Sequence, residues 1–167
     1  MDRFRIFAMT SLMLVGVALP VGGAAAETLK DLIGAWTLVS LAVEQGDKKI
    51  EPYGANPKGS MIYDASGHFS ITITRSGLPK VASNNRETST PEESVAIAHG
   101  SIAYFGTYTF SEPDRVVTVK LEGSTFPNWE GAEQKRVIAI SGDMLTLTNP
   151  TVSSGAGVAK VVWKRAK

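Results

Sequence analysis

"GSMIYDASGHFSITIT", residues 59–74, decides how the chain is read. In its second half Phe69, Ile71 and Ile73 fall on one face and His68, Ser70, Thr72 and Thr74 on the other. That period of two belongs to a half-buried strand. Residues 59–64 form a second strand, and Ala65-Ser66-Gly67 between them is a short glycine-containing hairpin loop. The segment therefore folds back on itself as an antiparallel pair.

The same unit recurs along the chain. "YFGTYTF" (104–110) and "RVVTVKL" (115–121) flank Ser111-Glu112-Pro113-Asp114, and "EQKRVIAI" (133–140) and "MLTLTN" (144–149) flank Ser141-Gly142-Asp143. "GAWTLVSLAV" (34–43) opens the series and ends at Gly46-Asp47; "KVVWKR" (160–165) closes it. About eight antiparallel strands in sequential hairpins make an up-and-down barrel or a sandwich. One helix is legible: Thr90-Pro91-Glu92-Glu93 supplies a capping Thr, a proline at the first helical position and a Glu three residues after the cap. It runs to about Gly100 with few apolar positions, so it lies on the barrel surface or across one mouth. Leu29 to Ile33 form a shorter turn before the first strand.

The first 26 residues are read separately. Arg3 and Arg5 precede an apolar run from Ile6 to Val21, and Ala24-x-Ala26 offers a cleavage site before Glu27, the pattern of a secretory signal peptide. The expected domain is 27–167, periplasmic or secreted, with no second hydrophobic span. Taking Asp2, Arg3 and Arg5 away from 16 acidic and 17 basic residues leaves 15 of each. Nothing in that balance favours nucleic acid, whose binding needs clustered cations to neutralise phosphates. The chain has no cysteine, so an exported form is held by its core alone.

The order "GAWTLVS", "GSMIYDASGHFS", capped helix, "YFGTYTF" and "FPNWEGAEQKR" resembles the lipocalin-like domain family, over about Leu32 to Lys164. The resemblance implies an all-β, lipocalin-like antiparallel barrel of about eight strands with one short surface helix. Gly34-x-Trp36 is similar to the first motif of true lipocalins, where a Trp plugs the closed end beneath an Arg of the last strand. Arg165 is the positional candidate for that Arg; the other reading makes Trp36 a plain core residue. Two lipocalin features are missing, the long helix after the last strand and the Thr-Asp-Tyr loop motif. Phe126 and Trp129, around Pro127, either fill a corner of the barrel or roof its mouth, with Asn128 capping the turn.

Eight strands can enclose packed side chains or one small ligand. The leading expectation is an exported protein that binds a small, mainly apolar molecule, lined by Tyr63, Phe69, Tyr104, Tyr108, Trp129 and Arg136. Gln134, Arg136, Ile138 and Ile140 share a strand face, so a polar mouth grades into an apolar floor. Arg136 there serves a ligand's charged or carbonyl end, or an ion pair with Glu122. The alternatives are an isomerase or cyclase using His68, Tyr104, Tyr108, Glu122 and Arg136 as acid–base groups, and a filled barrel acting as an envelope interaction module. No catalytic residue, metal or cofactor is assigned. His68 and His99 are too few for a zinc site, and Gly155-Ala156-Gly157 does not complete a dinucleotide fingerprint. The loop 75–93 is a flap over the mouth or plain surface.

If residues 1–26 are a cleaved signal, N-terminal sequencing of the mature protein begins at Glu27; a retained Met1 in soluble extract rules cleavage out.

Overall fold

Strand β1 (Gly34–Gln45) is long enough to serve two neighbours. Its first residues pair with β3 (Lys58–Tyr63), and from Trp36 to Glu44 it pairs with β9 (Val158–Arg165). Between these lie β4 (His68–Thr74), β5 (Ser101–Ser111), β6 (Val116–Ser124), β7 (Glu133–Ser141) and β8 (Met144–Asn149), each antiparallel to its neighbour and in chain order. The sheet thus closes as an eight-strand up-and-down barrel. The structure is a computed structural model that describes residues 28–167, so the signal-peptide reading lies outside the described residues. One further strand, β2 (Lys48–Ile50), pairs with the far end of β1 and is exposed throughout. The reading of the sequence passed over it, because three exposed residues carry no alternation.

The core follows the alternation with one slip. Phe69, Ile71 and Ile73 point inward, as do Tyr104, Gly106 and Tyr108. In β1, Trp36 and Leu38 face in, and then Leu41 and Val43 do, which a strict period of two forbids. The register against β9 shifts between Leu38 and Ser40. The bulge absorbs one residue, leaves Val39 exposed, and keeps both halves of a long strand aimed at one core. A second shift sits between Phe105 and Gly106, where a Cβ on Gly106 would come within 2.0 Å of the Lys120 carbonyl oxygen.

Several strand boundaries differ from the sequence reading by one to three residues. β5 starts at Ser101 instead of 104, directly after helix α2 (Pro91–His99; α1 is the single turn Leu29–Leu32). Arg115 belongs to the turn, with φ +54°, rather than to β6. The capping box is present: the Thr90 hydroxyl accepts from the Glu93 amide at 3.2 Å, and the Glu93 carboxylate accepts from the Thr90 amide at 2.9 Å. α2 buries no residue and lies on the outside. The loop 75–93 is tied down locally, the Ala82 amide donating to Glu93 and Arg75 to the Pro52 carbonyl, each at 2.9 Å. No helix among the described residues is long and apolar enough to cross a membrane.

One end of the barrel is sealed. Trp36 is buried, and its indole N–H donates to the Leu32 carbonyl of α1 at 3.0 Å. Opposite it in register, Arg165 lays its guanidinium over the indole at 4.2 Å and donates to the Ile33 carbonyl at 3.1 Å and to the Asp31 carbonyl. The plug reading and the core reading of Trp36 therefore describe one arrangement. Trp36→Ala is expected to cost about 3–5 kcal/mol in a urea unfolding series. Arg165→Gln, which loses the ring contact and two charge-assisted hydrogen bonds, should cost about 1–3 kcal/mol. A loss below about 1 kcal/mol for Trp36→Ala would show that the seal does not depend on the indole.

Candidate functional site

At the other end the strands stop around a cavity of about 60 Å³. Its walls are aliphatic residues that alternate inward from β1, β4, β8 and β9: Leu41, Val43, Ile71, Ile73, Leu147 and Val161. Tyr104, Trp129 and Trp163 complete it with aromatic surface. The entrance is framed by Pro52 and Tyr53 from the β2–β3 connection and by Ser153 and Ser154 from the β8–β9 hairpin. Tyr53 is buried there and hydrogen-bonds to Ser153. Burial, aided by the nearby Tyr104 phenol and opposed by the Ser153 bond, pushes its hydroxyl up to about 12. Beyond Tyr53 a vestibule of about 490 Å³ is lined by Ala98 and His99 of α2, Ser101 and Phe126, and it shares Pro52, Tyr53, Ile102, Ser153 and Ser154 with the cavity.

The segment around Pro127 builds one wall of this end. Pro127–Trp129 is a single 3₁₀ turn, closed by a bond from the Trp129 amide to the Phe126 carbonyl at 3.0 Å. Gly131 and Ala132 then tie the segment to Leu121 of β6. Asn128 is inside the turn and exposed, so it does not cap it; the Ser124 hydroxyl accepts from the Phe126 amide instead. The Trp129 ring meets Tyr104 and Phe126 edge-on, with centroids 5.4 and 5.7 Å away. It thus packs the corner and faces the cavity at once.

Beside the cavity the interior is filled and polar at its centre. Arg136 projects from β7 and is fully buried. Its Nη2 donates to the Gln134 Oε1 at 2.8 Å, and its guanidinium carbon lies 5.2 Å from the Tyr104 ring centre and 6.0 Å from that of Phe69. Tyr63 stacks on Phe69 and meets Tyr108 edge-on at 4.8 Å. Burial pushes the Tyr63 hydroxyl up to about 12, against the pull of the neighbouring Arg136 charge. The Tyr108 hydroxyl donates to the Asp64 carbonyl at 2.7 Å, and burial, with the Asp64 charge, raises its pKa as well.

A closed antiparallel barrel, sealed by a Trp under an Arg from the last strand, is the architecture that the motif resemblance implied. The sequence profile of the lipocalin-like domain family matches residues 33–166. The chain belongs to that family. It is also similar to a protein of Aspergillus oryzae named 4'-hydroxy-3'-methoxypropiophenone carrier protein ppsC, with 33% identity over 95 residues, covering 52% of this chain and 86% of that protein.

In this lipocalin-like barrel the six residues singled out for the site divide into two groups. Tyr104 and Trp129 line the cavity. Tyr63, Phe69, Tyr108 and Arg136 form the packed cluster next to it, with Tyr104 as the shared wall. The five acid–base candidates do not converge. His68 and Glu122 are exposed on the outer face, and His68 Nδ1 lies 2.9 Å from the Ser66 hydroxyl in the β3–β4 turn. An ion pair between Arg136 and Glu122 is not formed, since alternation turns Glu122 outward from β6. Tyr53 and Trp163 were missed. Trp163 was within reach, because Ala159, Val161 and Trp163 alternate in β9. Tyr53, in an irregular connection, had no such signal.

The two phenols near 12 set an alkaline limit on the fold. Between about pH 10, where an exposed tyrosine ionises, and about 12 the unfolded chain has released protons that Tyr53 and Tyr63 retain when folded. Stability should therefore be complete below about pH 10 and fall as pH rises toward 12. A spectrophotometric titration checks this, native protein developing its phenolate band at higher pH than protein in urea.

Proposed function

We propose that the chain is an exported carrier that takes up one small, mainly apolar molecule in the open half of its barrel. The observation that carries the reading is the cavity: aliphatic walls, two tryptophans, and a mouth framed by Pro52, Tyr53 and the Ser153–Ser154 loop. Burial of apolar ligand surface supplies the affinity, and the few polar groups at the rim and floor orient the molecule. The Aspergillus oryzae relative is named as the carrier of a substituted aryl ketone. A ligand of that class, one flat ring with a short apolar arm and oxygen substituents, suits a slot between Trp129, Tyr104 and the aliphatic wall. Its outer end would extend past Tyr53 into the vestibule. The apolar run and Ala24-x-Ala26 support a place outside the cytoplasm.

Titration with 4'-hydroxy-3'-methoxypropiophenone or an apolar dye, followed through quenching of Trp129 and Trp163, tests the proposal. Ala159, small and on the cavity wall, is the place to fill it. Ala159→Phe should weaken uptake at least about tenfold, at a packing cost of about 1–3 kcal/mol, and Trp129→Ala should weaken it with the fold retained. A wild-type protein that takes up neither compound, or equal uptake by Ala159→Phe, refutes the carrier reading.

A further inference from the structure

Arg136 presents an unbalanced charge. A guanidinium stays protonated at any pH the protein meets, so burial cannot neutralise it as it would a lysine. Among the described residues no carboxylate is buried in the core, and no ion pair includes Arg136. Its hydrogen bond to Gln134 uses Nη2; Nε and Nη1 make no hydrogen bond of good geometry, with the Tyr63 hydroxyl close beside the guanidinium. The aromatic rings of Phe69 and Tyr104 give the cation a favourable quadrupole but accept no hydrogen bond in its plane.

The neighbouring polar atoms have the same character. The buried side-chain atoms without a protein partner among the described residues are Tyr63 Oη, Gln134 Nε2, Arg136 Nε, Arg136 Nη1 and Trp163 Nε1. Each carries a hydrogen to donate, and only the Tyr63 hydroxyl can also accept. The Gln134 amide is oriented by Arg136: an arginine can only donate, so the amide oxygen faces it and the NH₂ is left over. Buried polar groups ordinarily find partners, and beyond the Tyr63 oxygen this set lacks an acceptor, ideally a negative one.

We propose that Arg136, with Gln134 and Tyr63 beside it, is an anion subsite that receives the oxyanion end of an apolar ligand seated in the cavity. The inference rests on the carrier reading and specifies the ligand: an apolar or aromatic body ending in a carboxylate or an ionised phenol. Tyr104 is the wall shared by the cavity and the subsite, and a turn of its ring would open one to the other. Its ring lines the cavity and also packs 5.2 Å from the guanidinium carbon, so an oxyanion that displaces the ring meets Arg136. A phenol with an acyl group para to it suits the subsite, because the acyl group withdraws electron density and makes the phenol more acidic.

The test uses two probe pairs on the wild-type protein. The first is 4'-hydroxy-3'-methoxypropiophenone and its 4'-O-methyl ether, which cannot ionise; the second is decanoate and decanol. At a pH where the free phenol is neutral, the bound phenol should show its phenolate absorption band, or decanoate should bind roughly ten- to hundredfold tighter than decanol. The first result makes the natural head group a phenolate and the second a carboxylate. Arg136→Gln should abolish the band and the preference, and Arg136→Lys should retain part of each. Because the wild-type spectra and affinity ratios decide alone, a variant that fails to fold does not blunt the test. If the ether and decanol bind as well as their partners and the phenol stays neutral, the subsite is refuted while the carrier reading stands. If no probe binds, both fall.

Discussion

Trp36 and Arg165 meet across the seam where the first and last barrel strands pair, and the interior depends on that meeting. A sheet becomes a barrel only if its two edge strands find each other in one register, and this chain has no cysteine to hold them. The contact that fixes the register is noncovalent: an indole buried under a guanidinium, both tied to the backbone of α1. With Trp36 opposite Arg165, Leu38 falls opposite Trp163 and, beyond the bulge, Val43 opposite Ala159. A shift of one residue would turn every one of these side chains to the other face.

The hairpins were legible because their alternation and turn residues agreed. In 59–74 the period of two, the glycine loop and the β-branched residues all pointed the same way, and the strand lies as expected, with Phe69, Ile71 and Ile73 inward. The Thr90 capping box was equally plain, since its chemistry is local. What stayed hidden depends on contacts distant in sequence. The bulge at Val39 leaves no composition signal, as "TLVSLAV" reads as uninterrupted strand, and only pairing with β9 shows that one residue is extra. Glu122 looked like a partner for Arg136 because both were charged and near the same corner. A single residue of alternation on β6 sends it to solvent.

The candidate site was half legible for the same reason. Tyr104 in β5 and Trp129 in the turn after β6 stand out as large aromatics, and both line the cavity. Tyr63, Phe69 and Tyr108 stand out equally, yet they pack against one another rather than around space. Aromatic content marks an interior; which part of it is hollow depends on what lies opposite. At the closed half Tyr63 and Tyr108 meet, with Trp36 also in the core, and little room remains. At the open half the opposing positions are Leu41, Val43, Leu147, Ala159 and Val161, which are too short to span the barrel.

That gradient of side-chain size also explains where a charge can be kept. A guanidinium among the short aliphatics of the open half would face a dry wall with nothing to stabilise it. Rooted on β7 opposite Val117, Arg136 reaches the one place where two aromatic rings cover the guanidinium and a glutamine orients it. Its remaining N–H groups lie next to the ring that forms the cavity wall. Replacing Arg136 by a methionine of similar length would remove the buried charge and leave Gln134 Oε1 without its donor. The cost of that orphaned carbonyl, about 1–3 kcal/mol, is set against relief from holding an unpaired cation out of water. The second term is the larger, so the empty barrel's stability gives little reason for an arginine here, whereas an incoming oxyanion gives one.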